Sequence, residues 1–452
     1  MSASDTHQSF GRIRRARRQA MPARHAIDLL AGGKARAGSL LAHGAGKSYG
    51  DSCHNDEGLL AVTPGSQDRI LALDLGAGTL EAESGATLGE IIAYAARYGW
   101  FLPVTPGTRF VTLGGAIAND VHGKNHHLRG SFGHHVESLV LARSDGTVTR
   151  CSATENAALF RATIGGMGLT GLIVSARIRL MKVASLDVVQ EVKPFASLHE
   201  FFALDAQSAG NEYSVAWIDQ LAGGKAAGRG VLLTGNHSAN GNLDGTERAP
   251  RLTVPFQPPL TVLNRPFLKA FNTAYRLAQL RKAGRAEVAG WRSFFYPLDA
   301  IGHWNRLYGP RGLFQHQSVI PVDAAPRILP DLLQAARDAG QGSFLTVLKR
   351  FGDMESAGLL SFARPGYTLT LDFPNRGQAT LDLLDRLDAI TTGAGGAVNP
   401  YKDARMSAAT FEASFPDWQR LDAFRDPAFC SDFWRRTALA LPQADPLREA
   451  AP

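Results

Sequence analysis

An α+β fold in two parts is what this sequence predicts, and three observations carry the prediction. Residues from about 38 to 180 alternate short extended runs with glycine-rich turns and contain one well-marked helix. Beyond them, a series of strand-like runs is interleaved with helices of apolar periodicity, the pattern of a domain built on an antiparallel sheet. The chain has 452 residues, enough for more than one domain and for a large buried core.

The helix of the first region begins at Thr87-Leu88-Gly89-Glu90, where Thr caps the first turn and Glu reaches back to it. Leu88, Ile91, Ile92 and Ala95 follow at helical spacing, and Gly99 is placed to stop the helix. SLVLARSDGTVTRCS, residues 138–152, reads as a hairpin turning at Asp145-Gly146. GLIVSARIRLMKV, 171–183, reads as a further strand.

In the second region YSVAWID (213–219), VLLTG (231–235), QHQSVIP (315–321), FLTVLKRFG (344–352) and YTLTLDF (367–373) read as strands. Helices are expected from about Ile328 to Ala339 and from about Thr380 to Ile390, the latter with Leu381, Leu384 and Leu387 on one face. Residues 264–285, NRPFLKAFNTAYRLAQLRKAGR, form a basic amphipathic helix. Two readings stand for it: a helix packed on the domain, or one lying on a membrane or over a lipid.

Composition narrows the function classes. Hydrophobic content of 44% with 20% charged residues is that of a soluble globular chain. Cys53, Cys151 and Cys430 are far apart, which argues against a disulfide framework or a zinc-thiolate site. The net charge of +7 gathers in RIRRARR (12–18) and in Arg265–Arg285. No nucleic-acid module accompanies it, so nucleic acid is not the expected partner, and an acidic ligand or an anionic membrane surface suits the charge. The N-terminus reaches no apolar signal core, and no apolar run is long enough to span a bilayer, so a cytoplasmic location is expected.

HGAGKSYGD, 43–51, ends like a phosphate-gripping loop, but position 41 is Leu41 where that motif needs glycine. The glycines at 44, 46 and 50 point instead to a tight turn that brings backbone close to a ligand. PVTPGTRFVTLGGAIANDVHGKNHHLRGSFGHHVESL, 103–139, is the densest stretch. Gly114-Gly115 among small residues permits close approach of backbone to a flat or phosphorylated ligand, with Thr108 and Thr112 as hydroxyl donors. His122, His126, His127, His134 and His135 admit a metal, yet the Glu of a His-Glu-x-x-His helix is missing, so a polar cofactor pocket is preferred and no metal is expected. TIGGMGLTGLI, 163–173, lacks the Rossmann glycine spacing. Three glycine clusters beside strands suit an extended cofactor with a pyrophosphate.

In matching order, HGAGKSYGD, PGTRFVTLGGAIANDVHGKNHH, SFGHHV and IGGMGLTGLI resemble the vanillyl-alcohol-oxidase, or PCMH-type, FAD-binding family. YSVAWID, FYPLDAIGHWNRLYGPRGLFQHQSVIP (295–321), VLKRFG, the Asp-Phe-Pro of the 367–373 strand and YKDAR (401–405) extend the resemblance to its branch of polyprenylphosphoryl-ribose oxidases. It implies a two-domain PCMH-type FAD-binding fold: a FAD-binding domain over 8–185, a substrate domain with an antiparallel sheet over 186–396, and a segment, 397–452, that returns to the first domain.

The same resemblance implies which residues hold FAD: Gly44, Gly46, Lys47, Ser48, Tyr49, Gly50, Gly107, Thr108, Thr112, Gly114, Gly115, Asn119, His122, Gly123 and Ile173. Some relatives attach FAD through a histidine near the first loop. Lys47-Ser48-Tyr49 offers none, so FAD is expected to be noncovalent. Gln315, Gln317, Lys349, Thr368, Thr370 and Lys402 are the implied substrate contacts, and Lys402, Tyr49 and His122 the implied catalytic group. Lys402 would take the hydroxyl proton or stabilise negative charge, and Lys349 would pair with a substrate phosphate.

The implied activity is FAD-dependent oxidation of a secondary sugar hydroxyl, the 2′-OH of a polyprenyl-phosphoryl-β-D-ribose. A 2-keto product would pass to a short-chain reductase partner for epimerisation to arabinose. Peripheral membrane contact would run through 264–285. Departures lie on the substrate side: Thr370 replaces the cysteine of the mycobacterial enzymes, Thr368 an asparagine, and Asn399-Pro400-Tyr401 a Tyr-Thr-Ala-like run. Two other readings therefore stand, an aldonolactone or alditol oxidase acting on a soluble sugar, and a non-catalytic flavoprotein subunit.

Overall fold

Residues 7–442 are described in a computed structural model of the chain; residues 443–452, the end of the expected C-terminal segment, lie outside the described residues. Three sheets carry the architecture. Strands Gln19–Pro22, Leu59–Val62 and Leu40–His43 form a parallel sheet in that order. A five-stranded antiparallel sheet follows the order Ile70–Asp74, Thr79–Glu83, Leu172–Arg179, Val136–Ala142 and Val148–Ser152. The third is an eight-stranded antiparallel sheet: Ala286–Ala289, Val188–Phe195, Gly230–His237, Tyr213–Ile218, Val347–Phe351, Gly366–Pro374, Leu313–Ile320 and Ala397–Val398. The α+β fold class holds.

Local chemistry accounts for the first elements. The helix Leu88–Ala96 has its complete capping box: Thr87 Oγ1 accepts from the Glu90 N–H at 3.2 Å, and the Thr87 N–H donates to the Glu90 carboxylate at 2.7 Å. Its face of Leu88, Ile91, Ile92 and Ala95 is buried against the five-stranded sheet's core. Gly99 takes the left-handed conformation, φ 75°, where the chain turns away. The hairpin turns with Gly146 at φ 84°.

Alternation decides what the eight-stranded sheet does. Leu348, Leu369, Leu371, Phe373, Phe314 and Ile320 point to one face, where they pack under the helices Leu198–Gln207, Ala325–Asp338 and Gln378–Gly393. The neighbours in sequence, Lys349, Thr370, Gln315 and Gln317, point to the other face. That second face carries these polar groups beside Val215, Trp217, Leu233 and Val347, and is the floor of a cavity.

Some elements differ from the sequence expectation. The helix expected from Ile328 begins at Ala325, because Pro326 occupies its first turn, where no backbone N–H is needed. The helix expected over 380–390 runs from Gln378 to Gly393. Strand Val188–Phe195 is additional; its Lys193-Pro194 end obscures it in the sequence. The basic run at 12–18 is partly internal, since the Arg18 side chain is buried and paired with Asp56 at 2.7 Å.

The C-terminal region ties the sheets together. Ala397–Val398 pairs with Ser318 and Val319 at the edge of the large sheet. Farther on, the Cys430 N–H donates to Leu40 O and the Leu40 N–H to Ala428 O, both at 2.9 Å. Arg436 bridges Asp51 and Asp403, each at 2.7 Å, and so pins the turn after Gly50 to the segment carrying Lys402. Among the described residues no helix is long and apolar enough to cross a membrane.

Candidate active site

A cavity of about 570 Å³ lies over this second face of the large sheet, walled by the glycine-rich segments of the first region. That is within the roughly 300–1,000 Å³ usual for cofactor and ligand sites. Its wall includes Gly44, Gly46, Lys47, Ser48, Tyr49, Gly107, Thr108, Thr112, Gly114, Gly115, Asn119, His122, Gly123 and Ile173 on one side. Gln315, Gln317, Lys349, Thr370 and Lys402 complete it from the other. Two expected residues are elsewhere. Gly50 is packed against the chain: a Cβ there would stand 1.4 Å from Asp403 O, so glycine is required by packing. Thr368 is fully buried behind Gln317, whose Nε2 donates to its hydroxyl at 3.0 Å.

Glycine shapes the cofactor side. A Cβ at Gly44 would lie 2.5 Å from Thr112 Oγ1, the atom that caps Leu113–Ala118 by accepting from the Gly115 N–H at 3.2 Å. Gly46 has φ 62°. The turn runs into a short 3-10 segment, Asp51–Cys53, and not into the long helix of a phosphate-gripping loop. Lys47 projects between Phe10 and Phe110, 5.9 and 5.4 Å from their ring centres. Desolvation lowers its pKa, opposed by Asp299.

The histidines disperse onto separate partners. His126 Nδ1 accepts from the Gly352 N–H, while His127, His134 and His135 face the carbonyls of Asn211, Glu355 and Arg129. Of these five only His122 lines the cavity, held between Gln317 Nε2 at 3.0 Å and Lys349 Nζ at 3.1 Å. Desolvation, then Lys349, His126 and Lys402, push its pKa well down, so the ring is neutral.

Lys402 Nζ sits over the Tyr49 ring, 4.3 Å from its centre. Desolvation pushes Lys402 down to about 8, opposed by the charge of Asp372. Burial and Asp372 raise the Tyr49 phenol well above its ordinary value, so it stays protonated. Asp372 is itself raised by burial, and is held by Gln315 Nε2 at 2.5 Å and Tyr308 Oη at 3.3 Å.

Asp372 and Lys124 are site residues that sequence reasoning did not single out. Asp372 was within reach, since it follows Thr368 and Thr370 at a spacing of two on an expected strand. Lys124 lay within the glycine–histidine stretch with no period to mark its direction. It lines the cavity, donates to Phe294 O, lies 4.7 Å from the Phe294 ring centre, and is pushed down to about 7 by desolvation.

These residues fit FAD. The wall combines glycines and hydroxyls of the first region with the amides and amines of Gln315, Gln317, Lys349 and Lys402. Ser52 Oγ, Ser84 Oγ and Gln315 Oε1 are buried on the wall without a protein hydrogen-bond partner, as a polar ligand would require.

Comparisons with known proteins agree. The model of the FAD binding domain matches residues 26–152. The chain is 35% identical to the decaprenylphosphoryl-β-D-ribose oxidase of Mycolicibacterium smegmatis over 88% of its own length and 89% of that protein's. An uncharacterized protein of Streptomyces coelicolor is 32% identical over 78% of this chain and 100% of its own. Mouse L-gulonolactone oxidase is 28% identical over 30% of each chain. Identity and coverage of this extent, with an FAD-binding domain and a cavity suited to FAD, place the chain in the decaprenylphosphoryl-β-D-ribose oxidase family of PCMH-type flavoproteins: it is an FAD-linked oxidoreductase acting on CH–OH donors.

Proposed function

We propose that this oxidoreductase acts on a secondary hydroxyl of a sugar, the 2′-OH of a polyprenyl-phosphoryl-β-D-ribose, and yields a 2-keto sugar. The observation that carries the reading is Lys402, a half-buried amine on the cavity wall over Tyr49, with a lowered pKa. The activity named for the M. smegmatis relative supports it. Residues 8–185 hold a noncovalent FAD and residues 186–396 offer the substrate face, with 397–452 bringing Lys402 between them. The chemistry that FAD supplies when bound is two-electron oxidation of a carbinol C–H. Lys402 as the free amine takes the hydroxyl proton. Tyr49 presents its ring to Lys402 and stays protonated. Gln317 and Lys349 fix the neutral His122 ring, and Gln315 anchors Asp372, whose charge tempers the amine.

Helix Arg265–Leu280 fits a lipid-facing role. Phe271 and Tyr275 line the cavity, while Phe267 and Leu277 are 46% and 51% exposed. Arg265, Lys269, Arg276, Arg281, Lys282 and Arg285 surround them with no carboxylate in the segment, which favours an anionic membrane surface. The keto product passes to a short-chain reductase.

One second reading keeps the site and changes the substrate to a soluble aldonolactone or alditol. Thr370 and Asn399 on the cavity wall favour it, as does the partial similarity to L-gulonolactone oxidase. The test is the visible flavin spectrum of purified protein under anaerobic conditions. Bleaching by a polyprenyl-phosphoryl-ribose analogue supports the first reading, and bleaching only by free pentitols or lactones selects the second. A flavin that no sugar alcohol reduces refutes both and leaves a flavoprotein without this catalysis.

A further inference from the structure

A chain of hydrogen bonds decides where the protons of His122 and Lys349 sit, and it starts on the main chain. The Tyr401 N–H donates to Asn399 Oδ1 at 3.0 Å. A backbone donor cannot turn round, so the Asn399 amide presents its oxygen there and its nitrogen on the other side. That nitrogen, Nδ2, donates to Gln317 Oε1 at 2.9 Å. The second amide is thereby fixed as well, and Gln317 Nε2 faces Thr368 Oγ1 and His122 Nε2, each at 3.0 Å. Asn399, Gln317 and Thr368 are buried, so water does not release the amides from this order.

A ring nitrogen that receives an N–H carries no proton of its own. His122 Nε2 is therefore bare, and a neutral imidazole then holds its proton on Nδ1. Nδ1 lies 3.1 Å from Lys349 Nζ. An ammonium at that distance would set N–H against N–H, whereas a free amine accepts with its lone pair. The reverse arrangement, an ammonium donating to a bare Nδ1, puts a proton on Nε2 against the Gln317 amide. Relieving that clash turns both amides and leaves the Tyr401 N–H facing an NH₂ group, a buried donor without an acceptor.

We infer that Lys349 rests as a neutral amine that accepts from His122 and turns its own N–H bonds to the cavity, and that Asn399 and Gln317 are the positioning residues that hold it so. The charged neighbours agree. Lys124 and Lys402 act on Lys349 as cations, and desolvation, the largest influence, brings its pKa down to about 7. His126, which also feels Lys349, is itself pushed down to about 3 by burial and so adds no charge. Uncharged donors suit uncharged oxygens such as the hydroxyls of a sugar. That use rests on the proposed reading that the cavity takes one; the proton positions do not. The ion pair with a phosphate that the family resemblance implies for Lys349 would require a proton taken up together with the ligand.

The test is nitrogen NMR of the FAD-loaded full-length protein, isotope-labelled in its histidine rings, at about pH 8, above the Lys349 pKa of about 7. His122 is identified by the signals lost in His122→Asn, and a protonated Nδ1 with a bare Nε2 is expected. Asn399→Asp offers acceptors on both sides, so the Gln317 amide should turn and the His122 proton shift to Nε2. Lys349→Met removes the amine but keeps the amides, so Nδ1 should hold its proton. Carbon labelling at the lysine Cε reads the amine itself, with Lys349 marked by the signal lost in Lys349→Met. It should show the free-amine position at about pH 8 and move to the ammonium position as pH falls through about 7. A parent with the proton on Nε2 overturns the inference, as does a Lys349 ammonium at that pH or an Asn399→Asp protein with the parent's tautomer. Should Asn399→Asp lose FAD, the parent and Lys349→Met spectra still decide. The expected proton positions in a protein whose flavin no sugar alcohol reduces sustain the inference and refute the proposed substrate.

Discussion

Lys402 offers the sharpest quantitative test. Its pKa is pushed down to about 8 from the ordinary 10.5. At about pH 7 roughly a tenth of such lysines carry the free amine, against about one in 3,000 for an unperturbed lysine, so the site raises the fraction of usable base by roughly 300-fold. A base must be deprotonated, so the rate of anaerobic flavin reduction should rise with pH and level off above the pKa of about 8. Lys402→Ala should lower that rate by about 10²–10⁴ and abolish the limb. Asp372→Asn removes the charge that holds the Lys402 pKa up, so the limb should move to lower pH while the plateau stays measurable. Stopped-flow reduction at saturating substrate, across the pH range on both sides of the limb, reads all three proteins. A parent profile that is flat through this range, or a Lys402→Ala protein that keeps the limb, refutes Lys402 as the base. An Asp372→Asn limb displaced to higher pH refutes the proposed electrostatics.

Further outcomes follow from the same geometry. Gly44→Ala places a Cβ 2.5 Å from Thr112 Oγ1, and should purify with depleted flavin that added FAD restores poorly, read from the ratio of visible to protein absorbance. Thr87→Ala removes the capping box at Leu88–Ala96 and should cost about 1 kcal/mol, seen as a lower denaturant midpoint with flavin retained. Lys124→Met should stabilise the FAD-free protein, raising its thermal midpoint by a few degrees. The sign follows from a folded-state pKa of about 7, below the unfolded value: the penalty for the buried charge is full below that pKa. It fades as pH rises toward the unfolded lysine pKa of about 10.4, so the gain should be greatest in acid.

The sequence by itself determined the local devices and the strand faces. The Thr87–Glu90 box, the Asp145-Gly146 turn and the period-two runs that place Gln315 with Gln317 all depend on neighbours along the chain, so their chemistry is legible in order. The glycine loops were legible as ligand turns because Leu41 breaks the phosphate-loop spacing. Tertiary structure decided the rest. Lys402 lies some 350 residues beyond Tyr49 in the chain, and tertiary contacts bring them together: the Tyr49 N–H bond to Tyr401 O, the Arg436 bridge between Asp51 and Asp403, and the edge strand Ala397–Val398. Lys349, Lys124 and Lys402 look like surface cations in sequence, because desolvation is a property of what surrounds a side chain. The sheet face that hides Thr368 behind Gln317, and the backbone of Asp403 that claims Gly50, are packing outcomes that no local pattern encodes.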